Sequence, residues 1–191
     1  MDIEQRVKSY WTQRSHDFGT VRKNELVSDM GRRWLEEITA HLPQGKPLEI
    51  LDVGTGTGFF AILLARLGHR VEGVDLTPAM LEEAKELACQ LGLVISFRQM
   101  DAQALAYADE SFDVVVAANV IHLLDEPYCA LRELDRVCRK GGKMIIPTYM
   151  NRTKKGTANR VSDAIGKAGA DFKTEFTPDT YKAFFARAGY T

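Results

Sequence analysis

The segment Leu48-Glu49-Ile50-Leu51-Asp52-Val53-Gly54-Thr55-Gly56-Thr57-Gly58 constrains the fold more than any other part of the chain, because an apolar run passes directly into three glycines at alternate positions. Leu48, Ile50, Leu51 and Val53 suit a strand buried on both faces of a parallel sheet. Glycine removes the Cβ that forbids tight backbone turns, and it lets a ligand approach the main chain. Phe59 to Leu67 carry apolar residues at Phe59, Ile62, Leu63 and Leu67, the spacing of a helix lying on a sheet, and Gly68 stands where a C-cap is expected. A second strand, Arg70 to Val74, ends in Asp75, at the distance from the glycines at which a carboxylate can bind two ribose hydroxyls. Strand, glycine turn, helix, strand and acid together predict a nucleotide-type cofactor site.

Two cofactor classes share such a unit. A dinucleotide fingerprint places its third glycine one residue later, at the position of Phe59, so that helix and strand pack around a pyrophosphate; Phe59 argues against NAD. The acid followed by alternating glycines resembles the first motif of the class I S-adenosylmethionine-dependent methyltransferases. Asp75-Leu76-Thr77-Pro78-Ala79-Met80-Leu81-Glu82-Glu83-Ala84-Lys85 is similar to that family's second motif, an acid before a capped helix, with Thr77 as N-cap and Pro78 in the first turn. A third strand, Val94 to Gln99, leads to Asp101-Ala102, which resembles the family's adenine site. Phe112-Asp113-Val114-Val115-Val116-Ala117-Ala118-Asn119 reads as a fourth strand and resembles the fourth motif. Ala130 to Arg139 is an amphipathic helix, followed by Gly141-Gly142 and a fifth strand, Lys143 to Pro147. The resemblance, to the small-molecule branch containing the type 11 and quinone-biosynthesis methyltransferases, runs from Leu48 to Pro147.

The resemblance implies an α/β fold: a doubly wound, Rossmann-like, mostly parallel sheet with helices on both faces and an N-terminal helical cap. Residues 1–191 form one methyltransferase domain on this reading. Residues 1–42 are a helical lid with Asn24 or Ser28 as capping residues, 43–147 the cofactor-binding core, and 148–191 an acceptor-side and C-terminal helical segment. Within that last segment a helix is expected around Arg160 to Lys167, and another from Thr177-Pro178-Asp179 to Ala188. Family members turn into a sixth strand, and then an antiparallel seventh, where this sequence reads Arg187-Ala188-Gly189-Tyr190-Thr191. Those strands are expected to be missing and the chain to be truncated, with its fifth strand left as an edge.

The same resemblance implies S-adenosyl-L-methionine as methyl donor, S-adenosyl-L-homocysteine as product, and in-line transfer to a small-molecule acceptor. Placement is then the main task, because the donor is already activated by its charge; orientation alone can supply about 7 to 11 kcal/mol in favourable models. By position, Asp52 orients the amino group of the cofactor's methionine part, and Gly54, Thr55, Gly56 and Gly58 make room along its length. Asp75 binds the ribose hydroxyls, Leu76 and Met80 sandwich the adenine, Asp101 beside Ala102 accepts from its exocyclic amine, and Asn119 lies near the transferring methyl. Plainer readings stand beside these: Met80 as a core gap filler, Asp75 and Asp101 as ordinary acids at a strand end and in a loop, Asn119 as a turn residue. His122 is either a general base or acceptor-orienting group with a neutral imidazole near pH 7, or a histidine packed beside Leu123 and Leu124. Tyr10-Trp11 and Arg14-Ser15-His16-Asp17-Phe18 resemble the segment that folds over the cofactor in quinone-biosynthesis relatives, which often have Tyr where Phe18 stands. Tyr10, Trp11 and Phe18 are accordingly lid and acceptor candidates. Arg152, Lys154, Lys155 and Arg160 form either a site for an anionic acceptor or a solvated basic face.

Composition excludes more than it identifies. With 25 Lys and Arg against 26 Asp and Glu, the net charge of -1 supplies no basic track for nucleic acid and no field for an anionic membrane. Asn119-Val120-Ile121-His122 also lacks the proline-aromatic pattern of amino-directed base methyltransferases. Cys89, Cys129 and Cys138 have no metal-ligand spacing; they predict reduced thiols, no bound metal and a cytoplasmic protein. No stretch approaches the roughly 20 apolar residues of a membrane span. A homodimer is left open. So are two other functions: a nicotinamide-dinucleotide oxidoreductase, and a protein that binds S-adenosylmethionine without catalysing transfer.

Overall fold

The computed structural model describes residues 3–148, 150 and 172–190. The helix expected around Arg160 to Lys167 and the basic residues Arg152, Lys154, Lys155 and Arg160 lie outside the described residues, as does the side chain of Phe18. Along the chain come α1 (Ile3–Glu25), α2 (Asp29–His41), β1 (Glu49–Val53), α3 (Phe59–Arg66), β2 (Arg70–Asp75), α4 (Pro78–Gln90), β3 (Ser96–Gln99), β4 (Phe112–Val116), a 3-10 turn (Ile121–Leu123), α5 (Pro127–Val137), β5 (Cys138–Ile145) and α6 (Pro178–Arg187).

The five strands form one sheet in the order β3-β2-β1-β4-β5, every pair parallel. Ile50 of β1 pairs with Val71 on one side and Val114 on the other, while Asp52 pairs with Gly73 and Val116. Strand order reverses between β1 and β4, and at such a switch point the loops leaving the carboxyl ends of the strands diverge and open a crevice.

Alternation along the strands feeds two cores. Ile50, Val71, Val114 and Val116 pack with Ile62 of α3 and Leu81 and Leu87 of α4 on one face. Leu51, Val53, Val74 and Val115 pack with Leu131 and Leu134 of α5 and Phe184 of α6 on the other. Helix α3 is buried at every position from Phe59 to Leu64, wider than the one-face stripe its spacing predicts, because α2 covers the side away from the sheet. Trp34 of α2 meets Phe60 edge-on at 5.3 Å.

Helix ends follow local chemistry. Ser28 caps α2 by accepting from Gly31 N at 3.3 Å, whereas Asn24 lies inside α1. Thr177 caps α6 reciprocally: its hydroxyl accepts from Thr180 N at 3.2 Å and its own N–H donates to Thr180 Oγ1 at 2.8 Å. Thr77 holds the N-cap position of α4 but makes no side-chain capping bond.

Three strand boundaries differ from the sequence expectation. The third strand begins at Ser96 and not at Val94, whose side chain is 99% exposed. The fourth ends at Val116, because Asn119 turns into the left-handed region at φ 58°. The fifth begins at Cys138, directly after α5, and closes at Ile145. Phe112 pairs with Cys138 and Val114 with Lys143, so the extra residues of β5 are taken up in a bulge that contains Gly141 at φ 77°.

Candidate cofactor and acceptor site

The glycine turn is braced from below by Asp52. Its Oδ2 accepts from Thr55 Oγ1 at 2.7 Å and from Ala61 N, in the first turn of α3, at 3.1 Å. Burial raises its pKa from 3.8 to about 7, with Thr55 and Ala61 opposing the shift and the charge of Asp75 adding to it. Asp52 is 1% exposed and does not line the cavity described below; it holds the turn that does. At Gly54, with φ 65°, an added Cβ would lie 2.3 Å from Val120 Cγ2, so the turn after β1 rests directly on the turn after β4. Gly56, at φ 55°, has no described atom within 4 Å of such a Cβ: it forms an open cradle. Gly58 is turned away from the cavity, toward Ala84 and Phe97.

Asp75 closes the next strand end. Its Oδ2 accepts from Gly56 N at 2.9 Å and its Oδ1 from Thr77 N at 2.8 Å, which fixes the carboxylate against both turns. Burial shifts its pKa upward. Past β3, Asp101 Oδ1 accepts from Gln103 N at 2.9 Å, which preforms the loop that carries Ala102. Past β4, Asn119 N donates to Pro147 O at 2.8 Å, extending the β4 and β5 pairing beyond both strands.

These turns enclose a cavity of about 200 Å³. Its wall follows the carboxyl edge of the sheet in strand order: Met100, Asp101 and Ala102 after β3; Asp75, Leu76, Thr77 and Met80 after β2; Gly54 to Thr57 after β1; Ala118, Asn119 and Val120 after β4. Met80 is 3% exposed, so it serves both cavity wall and core. At the β4 end His122, Leu123, Leu124 and Phe172 continue the wall, and Trp11 reaches it from α1. Tyr10 packs edge-on against Trp11 at 5.0 Å, beneath the Arg14 guanidinium at 4.3 Å, and lies behind the wall. Helix α1 lies along α4, with His16 Nδ1 3.3 Å from Glu83 Oε1 and Lys23 Nζ donating to Gln90 Oε1 at 2.8 Å.

Of the residues singled out in the sequence, the structure gathers Gly54, Thr55, Gly56, Asp75, Leu76, Met80, Asp101, Ala102, Asn119, His122 and Trp11 around one cavity and sets Asp52, Gly58 and Tyr10 outside it. Met100, Thr57 and Phe172 also line it. Met100 sits beside Asp101 and could have been found by extending the strand; Phe172 carries no local signal.

His122 is 3% exposed, and burial lowers its pKa from 6.5 to about 4, so the imidazole is neutral near pH 7. Its Nδ1 lies 2.7 Å from Thr148 Oγ1.

The donor set fits an adenosyl group joined to an amino acid: a carboxylate in the cavity wall at one strand end, an open glycine cradle at the next, and apolar walls from Leu76 and Met80. It fits a dinucleotide poorly, since Phe59 fills the wall where a pyrophosphate site keeps glycine. The family described as "Methyltransferase domain" matches residues 51–146, half of the chain. The chain belongs to this methyltransferase family. Its donor is S-adenosylmethionine. Among relatives, a phosphatidylethanolamine N-methyltransferase of Cereibacter sphaeroides is 35% identical over 91% of this chain and 79% of its own length. A ubiquinone biosynthesis O-methyltransferase of the same species is 32% identical over 91% and 72%. The solved structure of an S-adenosylmethionine-dependent methyltransferase from Thermotoga maritima, titled a possible histamine N-methyltransferase, superposes with a TM-score of 0.62 at 25% identity, covering 81% of this chain and 68% of that one.

Proposed function

We propose that this methyltransferase acts on a small-molecule acceptor, bound where Trp11, His122, Leu124 and Phe172 close the β4 end of the cavity, and that it works mainly by placement. The observation that carries this reading is the single cavity running from the Asp75 carboxylate and the Gly56 cradle to that aromatic end. S-adenosylmethionine, when bound, supplies a methyl group already activated by a cationic sulfur. Asp75 holds ribose hydroxyls, Gly56 admits the ligand against the main chain, and Asp52 keeps the turn rigid from behind. Leu76 and Met80 flank an adenine beside Asp101 and Ala102. Asn119 shapes the wall next to the reacting end, and Trp11 and Phe172 exclude water from it. Residues 1–42 act as the lid, with Trp11 its contact to the acceptor. Acceptors named for the relatives, phosphatidylethanolamine and an intermediate of ubiquinone biosynthesis, are neither protein nor nucleic acid, which agrees with the balanced charge of this chain.

Incubating the protein with donor labelled in its methyl group and a whole-cell extract, then separating products by size, tests the proposal. Label is expected in the small-molecule or lipid fraction. Label confined to protein or nucleic acid would overturn it.

A further inference from the structure

The turn after β4 builds an apolar wall at its end of the cavity. Ile121 is fully buried and anchors the 3-10 turn in the core, Leu123 and Leu124 follow on the cavity wall, and at Leu124 the chain straightens to ψ 141°. The carbonyl of His122 accepts from Lys173 N at 2.9 Å and from Thr174 N at 3.1 Å, which ties a distant stretch of chain to this turn and brings Phe172 to the same wall. Trp11 reaches it from α1.

Trp11, Leu124 and Phe172 each have a charged residue close in sequence, and the structure turns those charges toward other partners. Asp125 follows Leu124 and Lys173 follows Phe172; Lys173 Nζ lies 3.5 Å from Asp125 Oδ1, so the two charges offset one another. Arg14, one helical turn after Trp11, places its guanidinium over the Tyr10 ring at 4.3 Å, behind the wall. Among the described residues of the wall, the carboxylates are Asp75 and Asp101, in the turns after β2 and β3, with the glycine turn between them and the β4 end. Apolar walls favour an apolar group taken out of water and disfavour an ion that loses its hydration without gaining a partner. The donor adds a second selection: its sulfur is cationic, and an acceptor cation brought into line with it in a dry cavity is repelled more strongly than in water.

We infer that the methyl acceptor presents an uncharged, apolar group, such as a ring bearing the reacting atom, to the space among Trp11, Leu123, Leu124 and Phe172. Any ionised part of the acceptor stays outside that space. This rests on the small-molecule reading above and narrows it: acceptors whose reacting atom sits on an apolar skeleton are favoured over ions such as amino acids, sugar phosphates and alkylammonium compounds.

Equilibrium dialysis of the full chain against naphthalene probes matched in shape, namely naphthylmethanol, naphthoate and naphthylmethylammonium, at neutral pH with S-adenosylhomocysteine present, tests the inference. The uncharged alcohol is expected to bind at least about tenfold more tightly than either ion, because each ion gives up hydration that the walls do not replace. Phe172→Ala and Leu124→Ala should each weaken binding of the alcohol by about fivefold through lost apolar contact. An ion that binds as tightly as the alcohol, no saturable binding of the alcohol, or an alcohol affinity unchanged in a folded Phe172→Ala or Leu124→Ala chain overturns the inference. The ranking of the probes is measured on the unaltered chain, so it decides the matter even if neither variant folds. The labelling experiment reports separately on the small-molecule reading: label in a small molecule together with a preference for an ion overturns only this inference, and label confined to protein or nucleic acid overturns the reading beneath it.

Discussion

Burial acts on Asp52 and His122 in opposite senses with respect to pH. It raises the carboxyl from 3.8 to about 7 and lowers the imidazole from 6.5 to about 4, so each group is neutral by preference in the folded chain. For Asp52 the folded state binds more protons between those values; its contribution to stability is present in full below pH 3.8 and is lost as pH rises through about 7. For His122 the unfolded state binds more; its contribution is present above pH 6.5 and is lost as pH falls toward about 4. Asp52→Asn should therefore leave a protein whose stability falls steeply on acidification, and His122→Gln one whose stability falls as the solution is brought from acid to neutral. Urea midpoints across that range check both, and equal pH slopes in the two variants would contradict the assignment. The site residues most legible in the sequence were those whose role is carried by a local pattern, such as Asp75 at a strand end and the alternating glycines. Asp52 was legible as part of the motif, yet its turn-bracing bonds to Thr55 and Ala61 depend on where α3 starts in space.

At the scale of elements, the glycine turn separates fold from binding. Gly54→Ala and Gly56→Ala share a left-handed backbone penalty of about 1 kcal/mol. Their surroundings differ: the new methyl of the first collides with Val120, while that of the second enters the open cradle. Gly56→Ala should lower the melting temperature by only about 2 to 4 °C and abolish S-adenosylhomocysteine binding, whereas Gly54→Ala should lower it considerably further. Thermal melts with parallel calorimetry distinguish them, and comparable melting temperatures would count against the close approach of the two turns. The sheet itself was readable because strands buried on both faces give continuous apolar runs. Their limits were not, because register lies outside the local sequence: no residue between Val137 and Lys143 announces that α5 passes straight into β5 or that Gly141 sits in a bulge. The full burial of α3 likewise depends on α2, a separate stretch of chain.

Across the whole molecule, the cavity joins parts of the chain that are far apart in sequence: Trp11 from α1, the turns after four strands, and Phe172. This is why the strand-end part of the cavity could be read from contiguous motifs and the part closed by Trp11 and Phe172 could not. The contacts of helix α1 with α4 include His16 with Glu83 and Lys23 with Gln90, on surfaces that water also reaches. Exposed pairs of this kind contribute little, about 0.2 to 1 kcal/mol each. Trp11→Ala should leave S-adenosylhomocysteine affinity near wild type and lower methyl transfer to small molecules by about tenfold, through loss of the wall that excludes water and orients the acceptor. Affinity lost in step with turnover would place Trp11 in the cofactor half instead.

The strand ends around Asp75 and Gly56 are proposed as the S-adenosylmethionine site, which calorimetric titration of the purified chain tests. S-adenosylmethionine and S-adenosylhomocysteine should each bind one to one, and NAD should not bind. Asp75→Ala should weaken both by about a hundredfold or more, since two hydrogen bonds to a charged group are lost at about 1.5 to 3 kcal/mol each. A folded chain that binds NAD in their place, or an Asp75→Ala variant that binds as wild type does, would contradict it.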